Sequence, residues 1–282
     1  MTAQPAPPLT THAEPVMGTV FSFTAVHGDL PPDAVQAALD AACRILHHCD
    51  TLFSTWDPAS PVSRLRRGEA APGQMPPEFT EVLRECRAAK EASGGWFDPW
   101  VMPGGFDPTG LVKGWATERA LAELRGAGLA GALINGGGDV AVFGSPADGQ
   151  RWRVGIRHPW RADALACVIE VGQGPVTEER GLEPSGGSGG SRPRASISAV
   201  ATSGPYERGA HLIDPATGRP ASRAASATVT GPSLALADAL ATGVAVGGDE
   251  ALEVVAGLDG YAGYLIRPDG SETDTGGIAF AR

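Results

Sequence analysis

The sequence predicts an α+β fold, on three observations. Strand-like and helix-like segments do not alternate regularly, as a doubly wound sheet would require. Thr19 to Val26 alternates with the period of a half-buried strand. Pro32 to about Cys49 instead sets Val35, Leu39, Ala42, Leu46 and Cys49 on one helical face, opened by Pro32-Asp33.

Phe53 to Trp56 reads as a turn and Val62 to Leu65 as a short helical piece. Pro77 to Ala92 reads as a second long helix, ended by Gly94-Gly95. Leu111 to Arg125 is a third, ended around Gly126 and Gly128. Gly131 to Phe143 reads as strand, glycine turn and strand, and Trp152 to Ile156 and Cys167 to Val171 as further strands. Gly172 to Arg194 breaks the pattern with Pro184-Ser185-Gly186-Gly187-Ser188-Gly189-Gly190-Ser191, a low-complexity stretch. It reads as a surface insert at about 173–194, because candidate site residues fall on both sides of it. Ile197 to Thr202, Gly209 to Ile213 and Ala227 to Thr230 read as strands. Ser233 suits the N-cap of the helix that follows. Asp249 to Ala256 reads as a helix, and Tyr261 to Ile266 and Gly277 to Phe280 as closing strands. The expected organisation is a disordered tail over residues 1–13 and one domain over 14–282.

Apolar residues make up 42% of the chain, enough for a core, and the net charge is −10. An acidic balance argues against nucleic acid or an anionic membrane as partner. It also requires that any anionic ligand meet concentrated cations, whether side chains or a metal. Met1 to Pro8 has no basic start and no apolar run, so it does not read as a signal peptide. No apolar stretch is long enough to cross a bilayer. The expected setting is cytoplasmic, with no membrane anchor of the chain's own. Cys43, Cys49, Cys86 and Cys167 show no zinc spacing and read as reduced thiols.

Asp238 and Thr242 stand four apart in a helical stretch, which places two oxygen donors on one face a turn apart. Oxygen donors suit a hard cation such as magnesium. The same pair also fits a plain helix, with Asp238 complementing the dipole and Thr242 bonding its own backbone. Asp107 to Gly114 offers a glycine-flanked loop, Lys113 and a helix start, the parts from which a phosphate site is made. Gly114 inside that helix costs about 1 kcal/mol against Ala, a sign of close backbone approach. The alternative is a loop with a solvated Lys. Asn135-Gly136-Gly137-Gly138-Asp139 lacks G-x-G-x-x-G and reads equally as a turn between strands. Ala201-Thr202-Ser203-Gly204 holds no G-x-S-x-G elbow, which disfavours a serine hydrolase. In His211-Leu212-Ile213-Asp214-Pro215-Ala216-Thr217-Gly218, Asp214 opens a turn and His211 is a general base or an ordinary half-buried histidine.

Taken in order with Met17-Gly18-Thr19, Phe53-Ser54-Thr55-Trp56, Ser63-Arg64-Leu65 and Gly95-Trp96-Phe97-Asp98-Pro99, these motifs resemble the ApbE family of flavin transferases from about Pro15 to Gly248. The resemblance implies an ApbE-like, T-fold-related mixed fold with antiparallel sheets flanked by helices. It implies magnesium-dependent cleavage of FAD as substrate, with FMN transferred to a Thr or Ser hydroxyl of an acceptor flavoprotein and AMP released. FAD hydrolysis to FMN and AMP, or FAD binding without catalysis, are the alternatives. By motif position, the metal ligands are Asp238, Thr242 and the carbonyl of Gly110, the last available only if the helix starts at or after Leu111. Met17, Trp56, Trp96, Phe97, Asp98, Asp107, Lys113 and Ile213 match positions lining the FAD site, and His211 rather than Asp214 is the expected general base. Ala241 stands where some members carry another acidic residue, which leaves room for one tightly held ion.

Overall fold

The computed structural model describes residues 8–172, 198–205, 212–221 and 223–281. Its frame is an eight-stranded sheet with every neighbouring pair antiparallel. In spatial order the strands are β1 (Leu9–Val16), β2 (Thr19–Val26), β3 (Gly131–Gly136), β4 (Asp139–Gly144), β7 (Ala199–Ser203), β10 (Ser226–Gly231), β11 (Ala262–Ile266) and β12 (Glu272–Asp274). Two hairpins stand apart from it, β5 (Trp152–His158) with β6 (Arg161–Val171), and β8 (Ile213–Asp214) with β9 (Arg219–Pro220). The α-helices among the described residues are α1 (Pro32–Phe53), α2 (Pro61–Arg66), α3 (Pro77–Ala92), α4 (Thr109–Gly126), α5 (Leu234–Gly247) and α6 (Asp249–Ala256). The α+β class read from the sequence is the class observed.

Alternation along β4 explains how the layers are built. Ala141 and Phe143 face the core beneath the helices, while Val140 and Val142 face the β5–β6 hairpin with Trp152, Val154 and Ile156. Neighbouring β7 splits the same way, Ala199 and Ala201 to the helices and Val200 to the hairpin. A stretch of strand buried on both faces needs a continuous apolar run, and Val140 to Phe143 of β4 and Ala199 to Ala201 of β7 read that way. The α1 face of Val35, Leu39, Ala42, Leu46 and Cys49 is buried as its periodicity predicts. Burial of Val35, Leu39 and Leu46 stabilises the fold by roughly 1.5–3 kcal/mol each.

Some boundaries differ from those expected. Residues 9–13, expected in a disordered tail, are strand, because Leu9–Val16 pairs with β2 along its length, from Leu9 opposite Val26 to Val16 opposite Thr19. The strand hides in the sequence because its outward residues Leu9, Thr11, Ala13 and Pro15 are exposed and Thr10, His12 and Glu14 only half-buried. Gly277 to Phe280, expected as a strand, makes a single bridge from Phe280 to Ile169. The sheet edge is instead the polar β12, paired to β11. The insert at 173–194 falls wholly outside the described residues, as does the expected strand start at Gly209.

The cysteines are free thiols. Burial pushes Cys43 up to about 11 and Cys49 up to about 12, and raises Cys86 as well. No described helix is long and apolar enough to cross a membrane.

Candidate functional site

Two helices that cross closely set the geometry. A Cβ at Gly114 of α4 would stand 2.6 Å from the Leu234 carbonyl oxygen and 2.9 Å from Ala235 Cα of α5. Only glycine lets the helices approach this far, which accounts for its place in a helix interior. The approach brings the Gly114 N–H onto Asp238, whose Oδ2 accepts it at 3.2 Å. In a regular helix that N–H would serve the carbonyl of Gly110.

Gly110 itself departs from the helix, with φ −80° and ψ 15°. Helical ψ is near −42°, so the Gly110 carbonyl swings away from the helix axis and the regular turns begin at Leu111. Thr242 is its neighbour, since a Cβ at Gly110 would lie 3.2 Å from Thr242 Oγ1 and 3.2 Å from Phe97 Cε2. Gly110, Asp238 and Thr242 thus line one cleft. Asp238 is 6% exposed, and an ionised carboxylate that buried needs a compensating charge or hydrogen bonds. Three oxygen donors of this kind fit a hard divalent cation.

These residues line a cleft of about 700 Å³, counting space open to solvent. Of the residues expected from the sequence, Trp96, Phe97, Asp98, Asp107, Gly110, Lys113, Ile213, Asp238 and Thr242 all line it. Met17 and Trp56 are not among its lining. Met17 sits in the β1–β2 turn at φ 54° and gives its N–H to Asp50 Oδ2, and Trp56 is 91% exposed. His211 lies outside the described residues.

The cleft walls are held by their own contacts. Trp96 seats against the glycine face of α5, where a Cβ at Gly247 would meet its ring at 2.6 Å, and the Arg223 guanidinium lies 5.3 Å from the ring centroid. Asp98 pairs with Lys90 at 2.6 Å and accepts the Trp100 N–H. Asp107 pairs with Arg66 at 3.1 Å and accepts the Thr109 N–H, fixing the approach to α4.

Lys113 is not the solvated lysine of the plainer sequence reading. Its Nζ lies 2.5 Å from Asp139 Oδ2, with the Lys side chain 13% and the Asp side chain 1% exposed. Asp139 also accepts the Thr202 N–H at 3.1 Å, which ties β4 to β7 behind the cleft. Asn135 to Asp139 is the turn between strands, closed by the Gly138 N–H on Asn135 Oδ1. The sequence reading missed Asp139 as a site residue, and with it Thr202, Ser203 and Met102, which line the cleft. Thr202 and Ser203 carry a weak signal, a polar pair closing an apolar strand. Asp139 ends the glycine motif from Asn135, but nothing local marks its pairing, because its partner stands 26 positions upstream on α4.

Behind α5, Glu118 accepts the Leu234 N–H at the helix start. Burial raises its pKa above the ordinary 4.5, against the lowering pull of bonds from Leu234, Ser233 and Ala235. Ser233 caps the same turn, accepting from Leu236 at 3.4 Å.

Sheet, helix layer and cleft define an α+β protein with a cleft at a helix crossing, lined by oxygen-bearing side chains, an aromatic ring and a lysine. The chain belongs to the ApbE family, whose model matches residues 17–105 and 103–265. A FAD:protein FMN transferase of Rhodobacter capsulatus is 34% identical over 267 residues, covering 92% of this chain and 39% of that protein. One from Vibrio cholerae serotype O1 is 33% identical over 153 residues, covering 51% and 39%. The chain spans about two fifths of the length of the curated relatives it matches. Among solved structures, the flavin transferase ApbE from Vibrio cholerae superposes with a TM-score of 0.74 at 21% identity, over 96% of this chain and 97% of that one. The ApbE protein of Thermotoga maritima MSB8 gives 0.74 at 20% identity, over 94% and 96%. At these identities the superpositions establish the fold.

Proposed function

We propose that the protein cleaves FAD at its pyrophosphate and transfers FMN to a Thr or Ser hydroxyl of an acceptor flavoprotein, releasing AMP. The acceptor oxygen bonds to the FMN phosphorus, the bridging oxygen leaves with AMP, and the acceptor proton passes to a base. The observation that supports this reading is that Asp238, Thr242, Gly110 and Lys113 line one cleft, in a chain of this family. The names of its relatives support the reaction class.

Asp238, Thr242 and Gly110 would hold a magnesium ion, which when bound neutralises charge on phosphate oxygens. Phosphoryl transfer asks of the protein mainly position and charge complement. Lys113, oriented by Asp139, presents an ammonium to the diphosphate. Gly114 fixes the Asp238 carboxylate through its N–H, so the donor is in place before substrate arrives. The Trp96 ring and Phe97 supply an apolar wall against which part of the dinucleotide packs. His211 is proposed as the base that takes the acceptor proton. The compartment is proposed to be cytoplasmic.

The test is incubation of the full chain with FAD, magnesium and a flavoprotein bearing a candidate acceptor Thr. Flavin fluorescence retained on the denatured acceptor, lost in Asp238→Ala, supports transfer. AMP release without any acceptor points instead to hydrolysis. No AMP with magnesium and a panel of acceptors overturns the proposal.

A further inference from the structure

Outside the cleft, four residues with metal-binding side chains meet where the edge strand β1 lies against α1. His12 and Glu14 stand two apart on β1 and share its half-buried face. Cys43 and His47 stand four apart on α1 and share the helix face turned to that strand. His12 Nε2 lies 3.3 Å from Glu14 Oε2, and His47 Nε2 lies 2.7 Å from Glu14 Oε1. One ligand atom each from His12, Glu14 and Cys43 all lie within 4.8 Å of one another.

We propose that His12, Glu14 and Cys43 bind a zinc-class ion, with His47 as the positioning residue that orients Glu14 through its other oxygen. The donor set is one nitrogen, one oxygen and one sulfur, which suits zinc and disfavours magnesium or calcium. Zinc–ligand bonds of about 2.0–2.3 Å place ligand atoms about 3.3–3.8 Å apart in a tetrahedron. The present spacing closes to that with side-chain rotations of roughly 1 Å. The His12 ring already packs on Phe23, centroids 5.8 Å apart, which limits its rotamers. His12 and Glu14 side chains are 29% and 24% exposed, so an ion reaches them from solvent and a water completes the fourth position. Cys43 gives its thiol proton to solvent as the sulfur–metal bond forms. The bound ion would clip β1, an outermost strand of the sheet, to the longest described helix. This site neither uses nor needs the cleft residues.

The test uses the full chain without an affinity tag, stripped of metal, with cobalt(II) as spectroscopic probe and zinc as competitor. The expected result, in a chain carrying Asp238→Asn to silence the cleft, is one cobalt per chain, with a thiolate-to-cobalt charge-transfer band that zinc abolishes. Cys43→Ser removes the band, and His12→Asn and Glu14→Gln weaken zinc binding at least 100-fold. His47→Asn weakens it about 10-fold, the size of effect typical of an outer partner. Cys167→Ser keeps the band, and circular dichroism verifies that each variant is folded. Absence of the band in the wild-type chain overturns the proposal, and so does wild-type zinc affinity in folded Cys43→Ser or Glu14→Gln.

Discussion

Gly114→Ala is the perturbation that most sharply probes the helix crossing on which the cleft depends. The added Cβ would lie 2.6 Å from the Leu234 oxygen, 2.8 Å from the Leu234 carbonyl carbon and 2.9 Å from Ala235 Cα. All three are backbone atoms, so no side chain can swing aside. Relief to an ordinary carbon–oxygen contact of about 3.3 Å requires α4 and α5 to part by roughly 0.7 Å. Overpacking of this kind costs about 3 kcal/mol, and better helix propensity returns about 1 kcal/mol. The net loss of about 2 kcal/mol lowers Tm by roughly 4–8 °C for a chain of this size. Activity should fall further than stability implies. The same movement stretches the bond from Gly114 to Asp238 and separates Gly110 from Thr242, and a shift near 1 Å costs about 100-fold in rate. Gly126→Ala is the matched control, on the exposed end of α4 with nothing within 4 Å of the added carbon. The assay is thermal melting together with magnesium-dependent turnover of FAD. A Gly114→Ala protein with the Tm and turnover of the wild type would refute the reasoning.

Two further outcomes follow from the cleft and its support. Asp139→Asn removes the anion that Lys113 meets at 2.5 Å while keeping an oxygen for the Thr202 N–H. Breaking a buried pair from one side costs about 3–5 kcal/mol, and the slight exposure of Lys113 puts this case near the lower figure. Urea denaturation measures it, and a loss under 1 kcal/mol would contradict the ion pair. Glu118 gives a pH signature, since its folded pKa is raised by burial. A raised carboxyl contributes stability below its unfolded pKa and loses that contribution as pH rises through the folded value. Stability of wild type relative to Glu118→Gln should therefore fall as pH rises above 4.5, by at most about 1.4 kcal/mol per unit. A difference flat across that window, read from melts at matched pH, would exclude a raised pKa.

The sequence made the cleft legible where chemistry has a local period. Asp238 and Thr242 stand out because the helical repeat puts i and i+4 on one face. Gly114 stands out because a helix interior rarely tolerates it without a reason. The α1 face is read for the same cause. Asp139 stayed hidden because its meaning arises only when β4 is laid beside β7 and under α4, a non-local arrangement with no periodic trace. β1 stayed hidden because an edge strand buries only half a face, and its Thr, His and Glu look like tail residues until α1 covers them. Trp56, suited in sequence to stack on a flat ring, stands 91% exposed and away from the cleft's lining.

The proposed reaction requires the Asp238 carboxylate and its neighbours to grip a hard divalent ion together with FAD. Manganese(II) replaces magnesium at oxygen sites, and its electron paramagnetic resonance separates bound from free ion. The decisive titration compares the wild-type cleft with Asp238→Asn, both carrying Cys43→Ser, with and without FAD. The account predicts one manganese per chain, bound more tightly with FAD, and at least 100-fold weaker binding in Asp238→Asn. Equal manganese affinity in the two proteins, with FAD present, would contradict it.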